Sequence, residues 1–125
     1  MKKEIKTPLA PVPVGPYSQA VRVGPFMYLA GQGGFTAARE LVGEDVGAQT
    51  KQAFTNLKNV LEAGGGTLKD LVSVRVYLSD DSEFAGMNEA YAQFFEAPFP
   101  VRTTVSAGLG PGMKVEIDAV AVLDE

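Results

Sequence analysis

The chain has 125 residues, 46% of them hydrophobic and 21% charged, which predicts a single globular domain spanning residues 1–125. It contains no cysteine and no histidine; this excludes disulfides and thiolate catalysis and removes the usual zinc ligands and the commonest general base near neutral pH. The net charge of −4 gives no electrostatic case for a nucleic-acid partner, and because no run approaches the roughly 18 apolar residues of a membrane span, we expect a cytoplasmic protein with no membrane partner.

The amino-terminal half predicts two strands and a helix. YSQAVRVG at 17–24 and FMYLAGQGG at 26–34 are strand-like runs joined by a Gly24-Pro25 turn. The helix follows from Asp45, its predicted N-cap, to the glycines at 64–66, which end it. Its core face carries Val46, Ala53, Phe54, Leu57, Val60 and Leu61.

The carboxy-terminal half predicts one strand, one helix and two further strands. LVSVRVYL at 71–78 alternates as a strand does. DDSEFAGMNEAYAQFF at 80–95 predicts a helix capped at Ser82, with an apolar stripe. The stretch 100–122 is typical of a hairpin around the glycine-rich turn at 106–112. The order β-β-α-β-α-β-β predicts an α+β fold with a mostly antiparallel sheet and two helices on one face.

The final strand, VEIDAVAVL at 115–123, is apolar on both faces beyond Asp118. Two helices cover one face of such a sheet, so the second face needs other cover, and another copy of the chain is the simplest candidate. The alternative is that these are small side chains at a tapering strand end.

Arg102 and Glu116 stand out among the apolar and small residues of the last two strands. In a simple hairpin centred on Leu109 the two would lie opposite each other on one face of the sheet. One interpretation is a structural ion pair or a solvated arginine. The other is an anion site, in which the guanidinium fork holds a carboxylate and Glu116 orients or deprotonates a water.

Six motifs, in order, resemble the RidA/YjgF family of reactive-intermediate deaminases over nearly the whole chain. They are VGPYSQAV at 14–21, AGQGG at 30–34, NLKNVLEAGG at 56–65, MNEAYAQFF at 87–95, FPVRTTV at 99–105 and VEIDAVA at 115–121. The resemblance implies a chorismate-mutase-like α+β fold and a homotrimer with ligand clefts between subunits. It also implies hydrolysis of 2-imino or enamino acids to 2-oxo acids and ammonia, without a metal or organic cofactor.

The resemblance also implies roles for individual residues. Arg102 corresponds to the arginine that binds the substrate carboxylate, and Glu116 to the glutamate that positions water. Tyr17 corresponds to a tyrosine flanking the cleft, Gly31 to a glycine whose backbone contacts the ligand, and Asn88 to a cleft-side asparagine. A further substrate contact is expected from the backbone N–H of Thr104, which stands where better-known members often have cysteine.

Other interpretations stay open at the level of sequence. Tyr17 alone suits a half-buried aromatic, Gly31 a turn glycine and Asn88 a helix-surface amide. Ala30 replaces a serine of better-known members, and the segment 91–102 is short, which affects the expected substrate range. The alternative functions are a non-catalytic trimeric carboxylate-binding module or holdase, and a ribonuclease, which the acidic charge and missing histidine disfavour.

Overall fold

A computed structural model of the chain describes residues 1–124. The strands are β1 (Lys3–Ile5), β2 (Ala20–Val23), β3 (Phe26–Gly33), β4 (Leu71–Leu78), β5 (Val101–Ser106) and β6 (Val115–Val122), and the helices are α1 (Val46–Ala63) and α2 (Phe84–Ala92). Short 3-10 helices at Leu68–Asp70 and Asp81–Glu83 precede β4 and α2. The strands form one sheet in the order β1-β2-β3-β6-β4-β5.

Four of the five strand pairings are antiparallel, and only β4 and β5 run parallel. The prediction of an α+β fold with a mostly antiparallel sheet is confirmed. The predicted hairpin between the last two strands is wrong, because β6 lies between β3 and β4 while β5 lies at the sheet edge beyond β4. The alternate residues of β6 from Val115 to Ala121 are buried, so this strand suits a central position, whereas β5 has Pro98 and Pro100 just before it and suits an edge.

Helix α1 follows its sequence signals. The Asp45 side chain accepts a hydrogen bond from the Ala48 N–H at 2.8 Å, which satisfies one of the donors left unpaired at a helix start. The helix ends at Ala63 before Gly64, and Gly65 takes a φ of +92° that favours glycine. All six residues predicted to face the core are buried.

Helix α2 begins differently from the prediction. Ser82 is not the cap, because it lies inside the 3-10 helix, where its N–H donates to the Asp80 carboxylate at 2.9 Å. Aspartate caps a helix as well as serine does, and Asp80 precedes Ser82 in the sequence. The helix ends at Ala92, yet Phe94 beyond it stacks on Phe54 with ring centroids 4.8 Å apart.

The two faces of the sheet differ in cover. Both helices pack on one face, where the buried side chains of β3, β4 and β6 form the core with α1 and α2. The other face has no cover among residues 1–124. It carries apolar side chains that are 38–69% exposed, namely Val23, Phe26, Tyr28, Val72, Val101, Val105 and Val122. Neither α1 nor α2 combines the length and apolarity needed to cross a membrane.

Candidate functional site

A cavity of about 230 Å³ lies between β3, the start of β6 and the proline-rich segment at 11–14. Three of the predicted site residues, Tyr17, Gly31 and Glu116, line it. We call it the Glu116 pocket. Its volume is below the roughly 300–1,000 Å³ of pockets for drug-sized ligands, so it suits a ligand of few atoms.

The Glu116 side chain lies against Gly31. A Cβ atom at position 31 would stand 3.0 Å from Cδ of Glu116 and 3.1 Å from its Cγ. The register between β3 and β6 shifts between Leu29 and Gln32, so β3 bulges at Ala30 and Gly31. Gly31 therefore has a physical reason to be glycine, because the carboxylate occupies the space of its missing side chain.

The surroundings of Glu116 favour its protonated form. Burial raises the pKa of the Glu116 carboxyl above its usual range, and the negative charge of Asp118 raises it further. Asp118 is itself held by Arg75 Nε at 2.8 Å and by the Tyr77 hydroxyl at 2.9 Å. A carboxylate whose pKa is raised is a stronger base, so it is better suited to accept and return a proton.

A buried glutamine holds the proline-rich segment against the pocket. The Gln19 side chain is 3% exposed. Its Oε1 accepts from the Thr7 N–H at 2.7 Å, and its Nε2 donates to the Pro11 carbonyl at 2.9 Å. The start of the segment is therefore fixed by the side-chain amide of the residue that precedes β2.

Two amides of α1 hold the opposite walls. Gln49 donates to the Gly112 carbonyl at 3.0 Å and accepts from the Lys114 N–H at 2.8 Å, while Asn56 donates to the Phe35 carbonyl at 2.8 Å. Sequence reasoning missed both, although the sequence carries a signal. Positions 49, 53, 56 and 60 follow helical spacing, which places these amides on the buried face of α1.

A second group of predicted residues lies at the edge strand β5. Arg102 Nη1 donates to Asn88 Oδ1 on α2 at 2.7 Å. The guanidinium carbon lies 4.6 Å from the Tyr91 ring centroid and 5.7 Å from that of Phe84, a cation–π arrangement. Thr104 follows two residues along the same face of β5. We call this group the Arg102 edge.

The two groups are separated within one chain. Arg102 pairs with Val74 and so shares the helix-covered face, whereas Glu116 pairs with Tyr77 and shares the open face. Their Cα atoms are about 10 Å apart across the strands and about 10 Å apart along them, from the standard strand spacing and rise. The predicted placement of Arg102 opposite Glu116 is wrong, because β4 lies between β5 and β6.

Arg39 also lines the Glu116 pocket, and sequence reasoning did not single it out. It has a φ of +66°, the only positive φ among the non-glycine residues of the described chain. Its guanidinium donates to the Val12 carbonyl at 2.5 Å. A loop residue follows no periodic pattern, so no signal for Arg39 can be read from the sequence. Among residues 1–124, no three His, Cys, Asp or Glu side chains are grouped as metal ligands would be.

Comparison with known proteins identifies close relatives. The family model described as Endoribonuclease L-PSP matches residues 7–123. A 2-iminobutanoate/2-iminopropanoate deaminase of Dermatophagoides farinae is 42% identical over 98% of both chains. A RutC family protein of Pyrococcus horikoshii is 43% identical over 97% of this chain and 98% of its own.

Solved structures show the same similarity. RidA from the Antarctic bacterium Psychrobacter sp. PAMC 21119 is 41% identical with a TM-score of 0.92, covering 97% of this chain and 99% of that one. A protein from Thermotoga maritima, described as a putative endoribonuclease, is 38% identical with a TM-score of 0.94, covering 100% of both chains.

Proposed function

This chain belongs to the RidA/YjgF family, which the Endoribonuclease L-PSP model describes, and we propose that it hydrolyses 2-imino or enamino acids to 2-oxo acids and ammonia. Curated relatives about 40% identical over nearly the full chain are named 2-iminobutanoate/2-iminopropanoate deaminase. The observation that carries the proposal is the raised pKa of Glu116 over a small open pocket. No metal or organic cofactor is part of the proposal.

The site is composite in this proposal, with the Glu116 pocket of one copy facing the Arg102 edge of a second. The two groups lie on opposite faces of one sheet, so a small molecule bound in one copy cannot touch both. The exposed apolar side chains of the open face supply a surface that a second copy would bury. A closed ring of three copies, a homotrimer, would form three such sites.

Arg102 binds the substrate carboxylate in this mechanism. A guanidinium offers two parallel N–H groups to one carboxylate, and Asn88 and Tyr91 hold the Arg102 side chain in one orientation. Fixing the carboxylate fixes C2 next to it, which lowers the entropy cost of the attack by water. The backbone N–H of Thr104 is proposed as a second donor to that carboxylate.

Glu116 handles the protons. Its carboxylate accepts a proton from water as the water oxygen bonds to C2 of the protonated imine. It returns that proton to the nitrogen of the tetrahedral adduct. The C–N bond then breaks and ammonia leaves as the C2 carbonyl forms, while the Glu116 carboxylate takes the proton of the adduct hydroxyl and passes it to the departing ammonia. Gly31 lets the carboxylate approach the backbone, and Tyr17 forms part of the pocket wall.

The direct test is turnover of a freshly made imine. An amino-acid oxidase acting on alanine or 2-aminobutanoate supplies 2-iminopropanoate or 2-iminobutanoate, and semicarbazide traps what is left. We expect the purified protein to accelerate loss of the trapped imine. The second candidate, a carboxylate-binding module or holdase without turnover, predicts binding of 2-oxobutanoate with no acceleration.

A further inference from the structure

We propose that Arg39 makes the Glu116 pocket selective for 2-imino acids whose side chain ends in a second carboxylate. The inference rests on the proposed function, and it names the substrate class of that same site. Arg39 is a specificity-determining residue in this proposal and takes no part in the hydrolysis itself.

The backbone at Arg39 takes a conformation that few arginines adopt. Its φ of +66° lies in the left-handed region, where glycine and asparagine are favoured. The turn around it is closed by hydrogen bonds from the Arg39 N–H to the Thr36 carbonyl at 2.8 Å and from the Thr36 N–H to the Glu40 carbonyl at 2.9 Å. Strained residues of this kind concentrate at functional sites, because the surrounding structure must hold them.

Arg39 lines the pocket, and one hydrogen bond ties its guanidinium to the pocket wall. It donates through Nη1 to the Val12 carbonyl, and Val12 is itself part of the pocket wall. Arginine carries five N–H donors, so Nε and Nη2 are not used by this bond. None of the ion pairs within residues 1–124 involves Arg39.

The charges of the pocket explain what this cation would do. The structure describes every residue that lines the pocket. Two of these residues are charged: Glu116 carries a carboxylate and Arg39 a guanidinium. In the proposed site Arg102 of a second copy binds the first carboxylate of the substrate, and Glu116 stands beside C2. An anionic side chain entering the pocket would be repelled by Glu116, and Arg39 offsets that repulsion and offers hydrogen bonds.

The test compares two substrates in three proteins. Oxidase-generated imines of 2-aminobutanoate and of glutamate are the monocarboxylate and dicarboxylate probes. Arg39→Asn removes the charge while keeping a residue that tolerates positive φ, and Arg39→Lys keeps the charge without the fork. Lys51→Gln, an exposed change on α1 outside the pocket, controls for the change in net charge.

We expect wild-type protein to hydrolyse both imines. Arg39→Asn should lower kcat/KM for the dicarboxylate about tenfold more than for the monocarboxylate, as loss of one charge-assisted hydrogen bond predicts. Arg39→Lys should fall between the two, and Lys51→Gln should match wild type. An equal loss on both substrates would overturn the proposal by showing that Arg39 only holds the segment at Val12, and no loss on either would overturn it as well.

Binding separates this proposal from the proposed function. Calorimetry with 2-oxoglutarate and 2-oxobutanoate measures selectivity without any turnover. If wild type accelerates neither imine but binds 2-oxoglutarate in a manner that Arg39→Asn abolishes, the deaminase proposal fails and the selectivity stands. If both imines are hydrolysed and Arg39→Asn changes neither binding nor rate, the selectivity proposal fails and the deaminase proposal stands.

Discussion

Glu116 and Arg102 lie in surroundings of opposite kinds. Three chain segments enclose the Glu116 pocket, and buried amides of Gln19, Gln49 and Asn56 hold them by short hydrogen bonds. Arg102 stands on an edge strand and packs against α2, where its partners are one amide and two aromatic rings. The Glu116 pocket is partly enclosed and buries its carboxyl in part, while Arg102 is half-buried against the rings of a single helix.

These different surroundings suit the two proposed roles, proton transfer by Glu116 and carboxylate binding by Arg102. Partial burial raises the pKa of the Glu116 carboxyl, and the three segments around the pocket supply that burial. In the proposed composite site Arg102 needs a fixed direction, which the stack on Tyr91 and the bond to Asn88 give. The predictions below change one half at a time, in order of decreasing effect.

The largest effect is expected from Glu116→Gln. Glutamine keeps the size of the side chain but cannot accept a proton, so imine hydrolysis should slow by about 10²–10⁴-fold, the usual contribution of a general base. Affinity for 2-oxobutanoate should change little, because Arg102 is untouched. Stopped assays measure the rate of imine hydrolysis, and calorimetry measures the affinity. An unchanged rate would show that Glu116 has only a structural role.

Gly31→Ala should disable the pocket without unfolding the chain. The added Cβ must displace the Glu116 carboxylate, and a shift of about 1 Å at a reacting group can slow a reaction by about 10²-fold. The melting temperature should stay near that of wild type, since the displaced atoms end a flexible side chain. Glu116→Gln combined with Gly31→Ala should be no slower than Glu116→Gln alone. Additive losses in the double variant would argue against this explanation.

Arg102→Lys, at the Arg102 edge, should lower the catalytic efficiency less than the two changes at the Glu116 pocket. Lysine keeps the charge and loses the planar fork, and loss of one charge-assisted hydrogen bond, worth roughly 1.5–3 kcal/mol, lowers kcat/KM by about ten- to hundredfold. Binding of 2-oxobutanoate should weaken as well, in contrast to Glu116→Gln. Wild-type efficiency would rule out the carboxylate clamp, and a collapsed melting temperature would mark Arg102 as mainly structural.

Mixing two inactive proteins should restore activity if each site spans two copies. When Arg102→Ala and Glu116→Gln are unfolded together in equal amounts and refolded, random assembly gives intact halves at about one quarter of the sites, from the symmetry of a ring. Each variant refolded alone is the control. Light scattering should give about three times the chain mass of 13.2 kDa. No regain of activity in mixed assemblies would place both halves in a single copy.

The smallest effect concerns pH. If the Glu116 carboxylate is the base, kcat/KM falls as pH drops through its raised pKa. Asp118 is one cause of that raised value, so Asp118→Asn should move the inflection of the pH–rate profile to lower pH. Glu89→Gln, an equal charge change on the exposed side of α2, should leave it in place. An inflection that moves to higher pH, or does not move, would contradict the assignment.

Local structure followed the sequence closely because local signals determine it. The face of α1, its Asp45 cap and its glycine end were predicted from spacing and cap residues, and the fold class from element order. The pairing of the last two strands was not predicted correctly, because strands that are neighbours in sequence need not pair in the sheet. Arg102 and Thr104 lie on one face of β5, as the alternation of a strand requires, yet alternation cannot show which strand lies alongside.

The candidate site shows the same limit. Resemblance supplied Tyr17, Gly31 and Glu116, and the fold brought these three together in one pocket. It also supplied Arg102 and Asn88, which meet each other on the far side of the sheet. Arg39 was missed, because its position depends on a left-handed turn and on a carbonyl 27 residues away in sequence.

The central position of β6 has a consequence for the order of folding. This strand is the last element of the described chain, yet it joins β3 to β4 and so links the two halves of the sheet. Until residues 115–122 have left the ribosome, β1–β3 and β4–β5 have no common strand between them, and α1 has an incomplete surface to cover. Folding of the sheet therefore waits for β6, and its rate is limited by contacts distant in sequence.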